Sequence, residues 1–142
     1  MTSETALPQL INPTQVTSAL GIEDHPVPSP DGELLAYHSL ESGNWDIWVA
    51  QVNEGQSVNR TADHTGADFS PSWSPDGRQI AFFSERDGGG LFVMPMVGGI
   101  PKRVAQVQHT LAPEDGRAPE WSPDGTELAF LKRDPDEEWL EK

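Results

Sequence analysis

Three short runs of the chain repeat one pattern of apolar and turn-forming positions. GELLAYHS (32–39), GRQIAFFS (77–84) and GTELAFLK (125–132) each complete a Ser-Pro-Asp-Gly tetrapeptide. Leu35, Ile80 and Leu128 correspond, as do Ala36, Ala81 and Ala129, and then Tyr37, Phe82 and Phe130. Each run is short, rich in branched and aromatic residues and bounded by turn residues, which predicts a β-strand. Its apolar residues are contiguous rather than interleaved with charges, so the sheet is expected to be covered on both faces. The alanine recurring beside a large residue predicts a face that packs very close to a neighbour.

The stretch before each run adds a partner strand. PSWSPDG (71–77) returns as PEWSPDG (119–125), and a worn copy, PVPSPDG, stands at 26–32. In Pro30-Asp31-Gly32, Pro75-Asp76-Gly77 and Pro123-Asp124-Gly125, proline pre-sets φ, aspartate can bond its own backbone, and glycine accepts the left-handed conformation that closes a hairpin. The tetrapeptide therefore reads as turn chemistry joining two antiparallel strands. Pro28 replaces the residue that is Trp73 and Trp121 in the other copies, so the first strand of the first unit is expected to be poor.

Downstream, NWDIWVAQVNEG (44–55) matches GGLFVMPMVGG (89–99), with Ile47 and Leu91, Trp48 and Phe92, and Val49 and Val93 in register. A third strand is implied, then a turn, then a short fourth strand at Val58–Thr61 and Lys102–Ala105. The marker prolines Pro30, Pro75 and Pro123 lie 45 and 48 residues apart. Four strands in such a period are the unit of a β-propeller blade. The fold class is thus all-β, built of four-stranded antiparallel propeller blades. Residues 1–12 form an N-terminal extension, 13–57 the first blade, 58–101 the second, and 102–142 part of a third. Propellers close with 4 to 8 blades, and four would need roughly 180 residues against 142 here. The ring is incomplete in one chain. It is expected to be a fragment of a longer propeller or to be completed by association of copies, in preference to an open stack with a bare apolar face.

Composition narrows the function classes. A formal net charge of −14, from 23 acidic and 9 basic residues, repels nucleic-acid backbones and anionic membranes unless the basic residues cluster. They come together only in the pairs Lys102-Arg103 and Lys132-Arg133, so no nucleic-acid partner is expected. No apolar stretch reaches the length of a membrane span, and the N-terminus has no signal-peptide pattern, which leaves the compartment open. The chain has no cysteine, hence no disulfide and no thiolate chemistry.

Taken together, the SPDG turn, the IAF-type strand, the DIWV-type strand and the Gly-Gly turn resemble the TolB-type propeller repeat over residues 13–142. That repeat also builds the propellers of prolyl-oligopeptidase-type serine peptidases and segments fused to bacterial kinases. The resemblance implies a non-catalytic scaffold for protein interaction or ligand sensing, probed by a protein or peptide partner and belonging to a larger propeller protein. Two alternatives stand beside it: a propeller portion that gates substrate for a peptidase domain, and a self-assembling ring that holds a ligand in a shared channel. One blade type serves many functions, so the fold alone does not choose among them.

No catalytic, cofactor or metal site is read from the residues themselves. There is no G-x-S-x-G elbow, and His25, His38, His64 and His109 share no equivalent position. Gly88-Gly89-Gly90 lacks the Lys-Ser/Thr of a phosphate loop and reads as a hairpin tip. The run Asp134, Asp136, Glu137, Glu138 lacks the spacing of a calcium loop and reads as solvated charge. Asp24, Asp68 and Asp115 each precede a first strand, and repetition would set them as an acidic binding rim for a cation or basic peptide. Trp73 and Trp121 are expected to pack between blades, and Trp45 to be exposed.

Overall fold

The computed structural model describes residues 15–17, 23–97, 99–107 and 117–131. Strands β1 (Glu23–Pro28), β2 (Leu34–Ser39), β3 (Asp46–Gln51) and β4 (Ser57–Asn59) form one antiparallel sheet in the order of the chain. Strands β5 (Asp68–Trp73), β6 (Gln79–Ser84), β7 (Gly90–Pro95) and β8 (Lys102–Gln106) form a second sheet of identical topology. A hairpin of β9 (Glu120–Trp121) and β10 (Leu128–Ala129) begins a third. The architecture is all-β, with two complete blades and the start of another.

Hydrogen bonding fixes where the blades divide. β4 pairs with β3 and β8 with β7, so both fourth strands close the sheet that precedes them. The boundary expected at 57/58 falls inside β4, and the one at 101/102 cuts β8 from its sheet. β1 also corrects the expectation drawn from Pro28. It runs six residues and pairs with β2 through a bulge between Asp24 and Val27, and its counterpart β5 bulges between Phe69 and Ser72. At each bulge one residue takes positive φ, His25 at 56° and Ser70 at 55°. Pro28 sits at the end of an edge strand, where the missing N–H costs no ladder bond.

The three SPDG turns share one set of hydrogen bonds. In the second, Ser74 Oγ donates to Asp76 Oδ1 at 2.6 Å, the Arg78 N–H donates to the same oxygen, and Gly77 N–H donates to the Ser74 carbonyl. Residues 29–34 and 122–127 repeat this arrangement. Gly77 has φ of 71°, in the region that glycine enters without penalty. Gly90, by contrast, is a matter of space. A Cβ there would stand 2.4 Å from the Ala105 carbonyl, because β8 crosses against β7 at that point. The last glycine of the 88–90 run is thus the first residue of β7, while Arg86–Gly88 form a single 3-10 turn.

The core lies between blades. Ala36, Ile47 and Val49 of the first sheet meet Trp73, Ile80, Phe82, Phe92 and Met94 of the second. The opposite face of the second sheet, Phe69, Ala81, Phe83 and Leu91, packs with Trp121, Leu128 and Phe130 of the hairpin. β6 therefore buries alternate residues in two different cores, which is why its sequence is apolar without a break. Ala36 and Ala81 are fully buried, but Ala129 is exposed because no further sheet covers it among the described residues.

Candidate functional site: the groove along the first strands

β1, β5 and β9 each form an edge of their sheets, and they run past one another with little bulk between them. Along them opens a groove of about 730 Å³. β1 contributes His25 and Val27 to its wall, β5 contributes Ser72 and Trp73, and the third unit contributes Arg117 and Glu120. The residues are positioned by the bulges and by the SPDG hairpins, which hold the three strands at a constant offset. Val27, Ser72 and Glu120 occupy equivalent places three residues before each marker proline. The groove has a mixed character: an indole and aliphatic floor, a guanidinium, a carboxylate and an imidazole. Burial lowers the His25 pKa, partly offset by the charge of Asp24, so this ring is neutral at pH 7.

The acidic rim expected from Asp24, Asp68 and Asp115 is corrected by the register. Asp24 lies opposite His38, whereas Asp68 lies opposite Ser84, the counterpart of Ser39, which pairs with Glu23. Asp68 is therefore equivalent to Glu23, and Asp24 points to the other face of its strand. Asp24 has a side chain 59% exposed, and that of Asp68 is fully buried. Asp115 lies outside the described residues, as do Asp134, Asp136, Glu137, Glu138, His109 and Trp139.

Asp68 instead anchors the connection between the sheets. Its Oδ2 is 3.1 Å from His64 Nδ1 and its Oδ1 is 3.5 Å from Arg86 Nη2. The Arg86 guanidinium sits 5.8 Å and 5.7 Å from the ring centres of Phe82 and Phe92, a cation–π arrangement. Burial raises the Asp68 pKa, against the opposing pull of Ser84, Arg86 and His64. Such a paired, enclosed carboxylate is built for structure, and it is unavailable to a ligand.

His38 forms a second unforeseen joint. Fully buried, it accepts a hydrogen bond at Nδ1 from the Ser70 N–H at 2.9 Å, which ties β2 to β5 across the blade boundary. Among the described residues its Nε2 has no hydrogen-bond partner, and it lies 3.8 Å from Asp24 Oδ2. Trp45, expected to be exposed, stands edge-on to this imidazole with centroids 4.9 Å apart and is half-buried. Desolvation brings the His38 pKa down to about 4, in spite of the nearby Asp24.

Trp73 and Trp121 occupy the inter-blade cores as expected. In addition, Trp73 Nε1 donates to the Val27 carbonyl at 2.9 Å and Trp121 Nε1 to the Ser72 carbonyl at 3.1 Å. The turn aspartates Asp31, Asp76 and Asp124 have pKa values lowered first by the serine hydroxyl two residues earlier and next by hydrogen bonds from the residue two places on; for Asp124 the value is about 2. Among the described residues, no group of three His, Asp or Glu side chains could hold a metal ion. No helix there is long and apolar enough to cross a membrane.

Sequence signals for the groove did exist. Arg117 and Glu120 fall between the last acidic segment and Trp121, at positions the repeat aligns with Phe69 and Ser72. Glu120 stands where the other units have Val27 and Ser72, and Arg117 stands where they have Asp24 and Phe69, a departure from the repeat that points to both.

Residues 9–140 match the TolB beta propeller domain family. Dipeptidyl-peptidase 5 of Porphyromonas gingivalis is 40% identical over 77 residues, covering 48% of this chain and 11% of its own. Tricorn protease homolog 1 of Streptomyces coelicolor is 36% identical over 78 residues, covering 54% of this chain and 7% of its own. The crystal structure of TolB from Acinetobacter baumannii superimposes with a TM-score of 0.65 at 25% identity, over 80% of this chain and 27% of that one. The chain thus spans less than a third of the length of each of these relatives.

Proposed function

This chain belongs to the TolB beta propeller domain family, and on that premise we propose that it is a non-catalytic scaffold that binds a protein or peptide partner in the groove along β1, β5 and β9. The observation carrying this reading is the groove itself, where edge strands, the Trp73 indole and the opposite charges of Arg117 and Glu120 line one open volume. Such a surface offers main-chain and side-chain contacts of the kind an extended peptide uses. No serine or histidine in it has the nucleophile–base contact that acyl transfer requires. In this reading the scaffold works within a longer propeller protein, and the small share of each relative's length that the chain covers supports it.

A second reading is favoured by the two peptidase-named relatives: the same groove admits substrate to a catalytic domain carried elsewhere in a longer protein. Both readings place a peptide in the groove, and they differ in what happens to it afterwards. Peptide display against the immobilised chain tests the shared step. Enriched sequences should bind in solution with a change in tryptophan emission, and Arg117→Glu should weaken them at least tenfold. Failure to enrich any peptide, or binding indifferent to Arg117→Glu, overturns the assignment of the groove.

A further inference from the structure

The chain holds five Asp-Gly pairs, at 31–32, 76–77, 87–88, 115–116 and 124–125. Asp-Gly is the dipeptide most open to one spontaneous reaction, because glycine sets no side chain beside its own amide nitrogen and leaves the backbone free to turn. The glycine nitrogen attacks the aspartate Cγ and gives up its proton, the Cγ hydroxyl leaves as water, and a five-membered succinimide closes. Water then adds to one of the two ring carbonyls. Breaking the bond from nitrogen to Cγ restores aspartate. Breaking the bond from nitrogen to the backbone carbonyl carbon gives isoaspartate, in which the chain runs through Cβ and Cγ and the old carbonyl becomes an α-carboxyl. One water is lost and one regained, so the mass is unchanged and no further reactant is needed.

The fold treats these pairs unequally. Ring closure needs a carboxyl that is protonated and able to turn towards the next nitrogen, and the SPDG turns oppose both. Asp31 Oδ1 accepts from Ser29 Oγ at 2.6 Å and from the Glu33 N–H at 3.0 Å, and Asp76 Oδ1 accepts from Ser74 Oγ and the Arg78 N–H at the same distances. Asp124 Oδ1 accepts from Ser122 Oγ and Thr126 Oγ1, each at 2.7 Å, and from the Thr126 N–H at 3.1 Å. These bonds favour the carboxylate over the acid, in line with the lowered pKa of all three groups.

Asp87 is placed otherwise. It and Gly88 are exposed at the tip between β6 and β7, and a Cβ on Gly88 would meet nothing within 4 Å, so a ring has room there. Among the described residues the Asp87 carboxyl accepts no hydrogen bond, whereas its backbone carbonyl accepts one from Arg103 Nη1 at 2.8 Å. A cation on that oxygen draws electrons from the Asp87–Gly88 peptide and makes its N–H more acidic. Asp87 also holds φ of 51°, a conformation that few L-residues keep without strain, so the tip has less to lose by rearranging. We propose that Asp87–Gly88 is a modification site, where aspartate converts to isoaspartate in the folded protein while the turns hold back Asp31, Asp76 and Asp124. The product carries one more backbone carbon directly after Arg86, whose guanidinium reaches Asp68 and lies against Phe82 and Phe92. Conversion therefore loosens the joint that Asp68 anchors. Asp87 does not line the peptide groove, so this site stands or falls independently of the function proposed above.

The test ages the whole chain at mildly acidic pH and digests it with trypsin. A Lys or Arg lies between every two neighbouring Asp-Gly pairs, so each pair falls in its own peptide. An isoaspartyl methyltransferase then labels the product: the α-carboxylate oxygen takes the methyl of S-adenosylmethionine, whose sulfonium leaves as a thioether. Label in the Asp87 peptide should accumulate at least about tenfold faster than in the peptides of Asp31, Asp76 and Asp124, since each turn must first give up a hydrogen bond to a charged carboxylate. In urea the four rates should draw level. Asp87→Glu, which would need a six-membered ring, should abolish label in that peptide and leave the melting temperature unchanged. The proposal is overturned if Asp87 converts no faster than the turn aspartates in the folded chain, or if label persists in the Asp87→Glu peptide. It is equally overturned if the same bias survives in urea, which assigns the selectivity to local sequence and not to the fold.

Discussion

The indole of Trp73 donates to the carbonyl of Val27 across the boundary between the first and second sheets, and Trp121 repeats the bond to Ser72 across the next boundary. Each ring also fills the core on the side of the preceding sheet. One residue type thus ties successive blades twice, by packing and by a directed hydrogen bond. Trp73→Phe keeps most of the packing and should cost about 1–2 kcal/mol for the lost bond and volume. Trp73→Ala should cost about 3–5 kcal/mol through the cavity it leaves. Urea denaturation of the two variants checks the order, and a Trp73→Phe protein as stable as the parent would show that the hydrogen bond carries nothing.

Successive SPDG turns stack on each other. A Cβ built on Gly77 would lie 3.6 Å from Cδ of Pro30, and one on Gly125 the same distance from Cδ of Pro75. Gly32, at the head of the row, would meet nothing within 4 Å. Alanine at either Gly32 or Gly77 should therefore cost a similar amount, about 1–2 kcal/mol, since both glycines have positive φ and the extra contact at Gly77 is ordinary. Gly77→Val should cost more, because branching at Cβ adds strain at positive φ and brings atoms towards Pro30. Melting temperatures of the three variants check this, and a Gly77→Val protein as stable as the parent would contradict it.

What the sequence made legible followed from its local chemistry. Turn geometry, strand pairing and the β2/β6 and β3/β7 correspondences all depend on residues adjacent in the chain, and they hold in the structure. The misjudged acidic rim came from treating acidic residues six, seven and eight places before the marker proline as equivalent. β1 and β5 bulge at the same place, so the one-residue difference between Asp24 and Asp68 sets them at successive strand positions, on opposite faces. His38 and Arg86 were invisible for another reason. Their partners, Ser70 and the rings of Phe82 and Phe92, belong to distances and faces that one strand's pattern does not encode. The groove charges Arg117 and Glu120 were legible only as a departure from the repeat.

Asp46 offers a test of buried polar satisfaction. It is 1% exposed and accepts from Ser42 Oγ at 2.6 Å, Asn59 Nδ2 at 2.7 Å, Asn44 Nδ2 at 3.0 Å and Thr61 Oγ1 at 3.3 Å. These donors come from the β2–β3 turn, β4 and the segment after it, so one carboxylate fixes three pieces of backbone. Asn44 also donates to the Gly66 carbonyl and extends the network towards β5. Asp46→Ala strands four donors and should cost about 3 kcal/mol or more. Faster hydrogen exchange should appear first in β4, the shortest strand of that sheet, and unchanged exchange there would remove the anchoring role.

The joint between His38 and Ser70 makes stability depend on pH in a stated direction. The imidazole ordinarily titrates near 6.5 but in the fold only near about 4, because burial disfavours the cation more than Asp24 favours it. Above 6.5 both states are neutral and the group contributes no slope. As pH falls from 6.5 the unfolded chain takes up a proton that the folded chain refuses, so stability drops until about pH 4 and is level below it, a loss of up to about 3 kcal/mol. Protonation of the folded state would also turn Nδ1 into a donor facing the Ser70 donor. Asp68 acts the other way, because burial raises its pKa and the folded state gains protons as the pH falls. His38→Phe isolates the imidazole, since the equivalent residue of the second sheet is Phe83 and the site accepts a ring of that shape. The variant should be less stable at pH 7, where Ser70 N–H loses its acceptor, yet should lose less stability between pH 6.5 and 4.5 than the parent. Urea midpoints across that range decide it: parallel slopes in the two proteins would show that His38 does not set the acid limb.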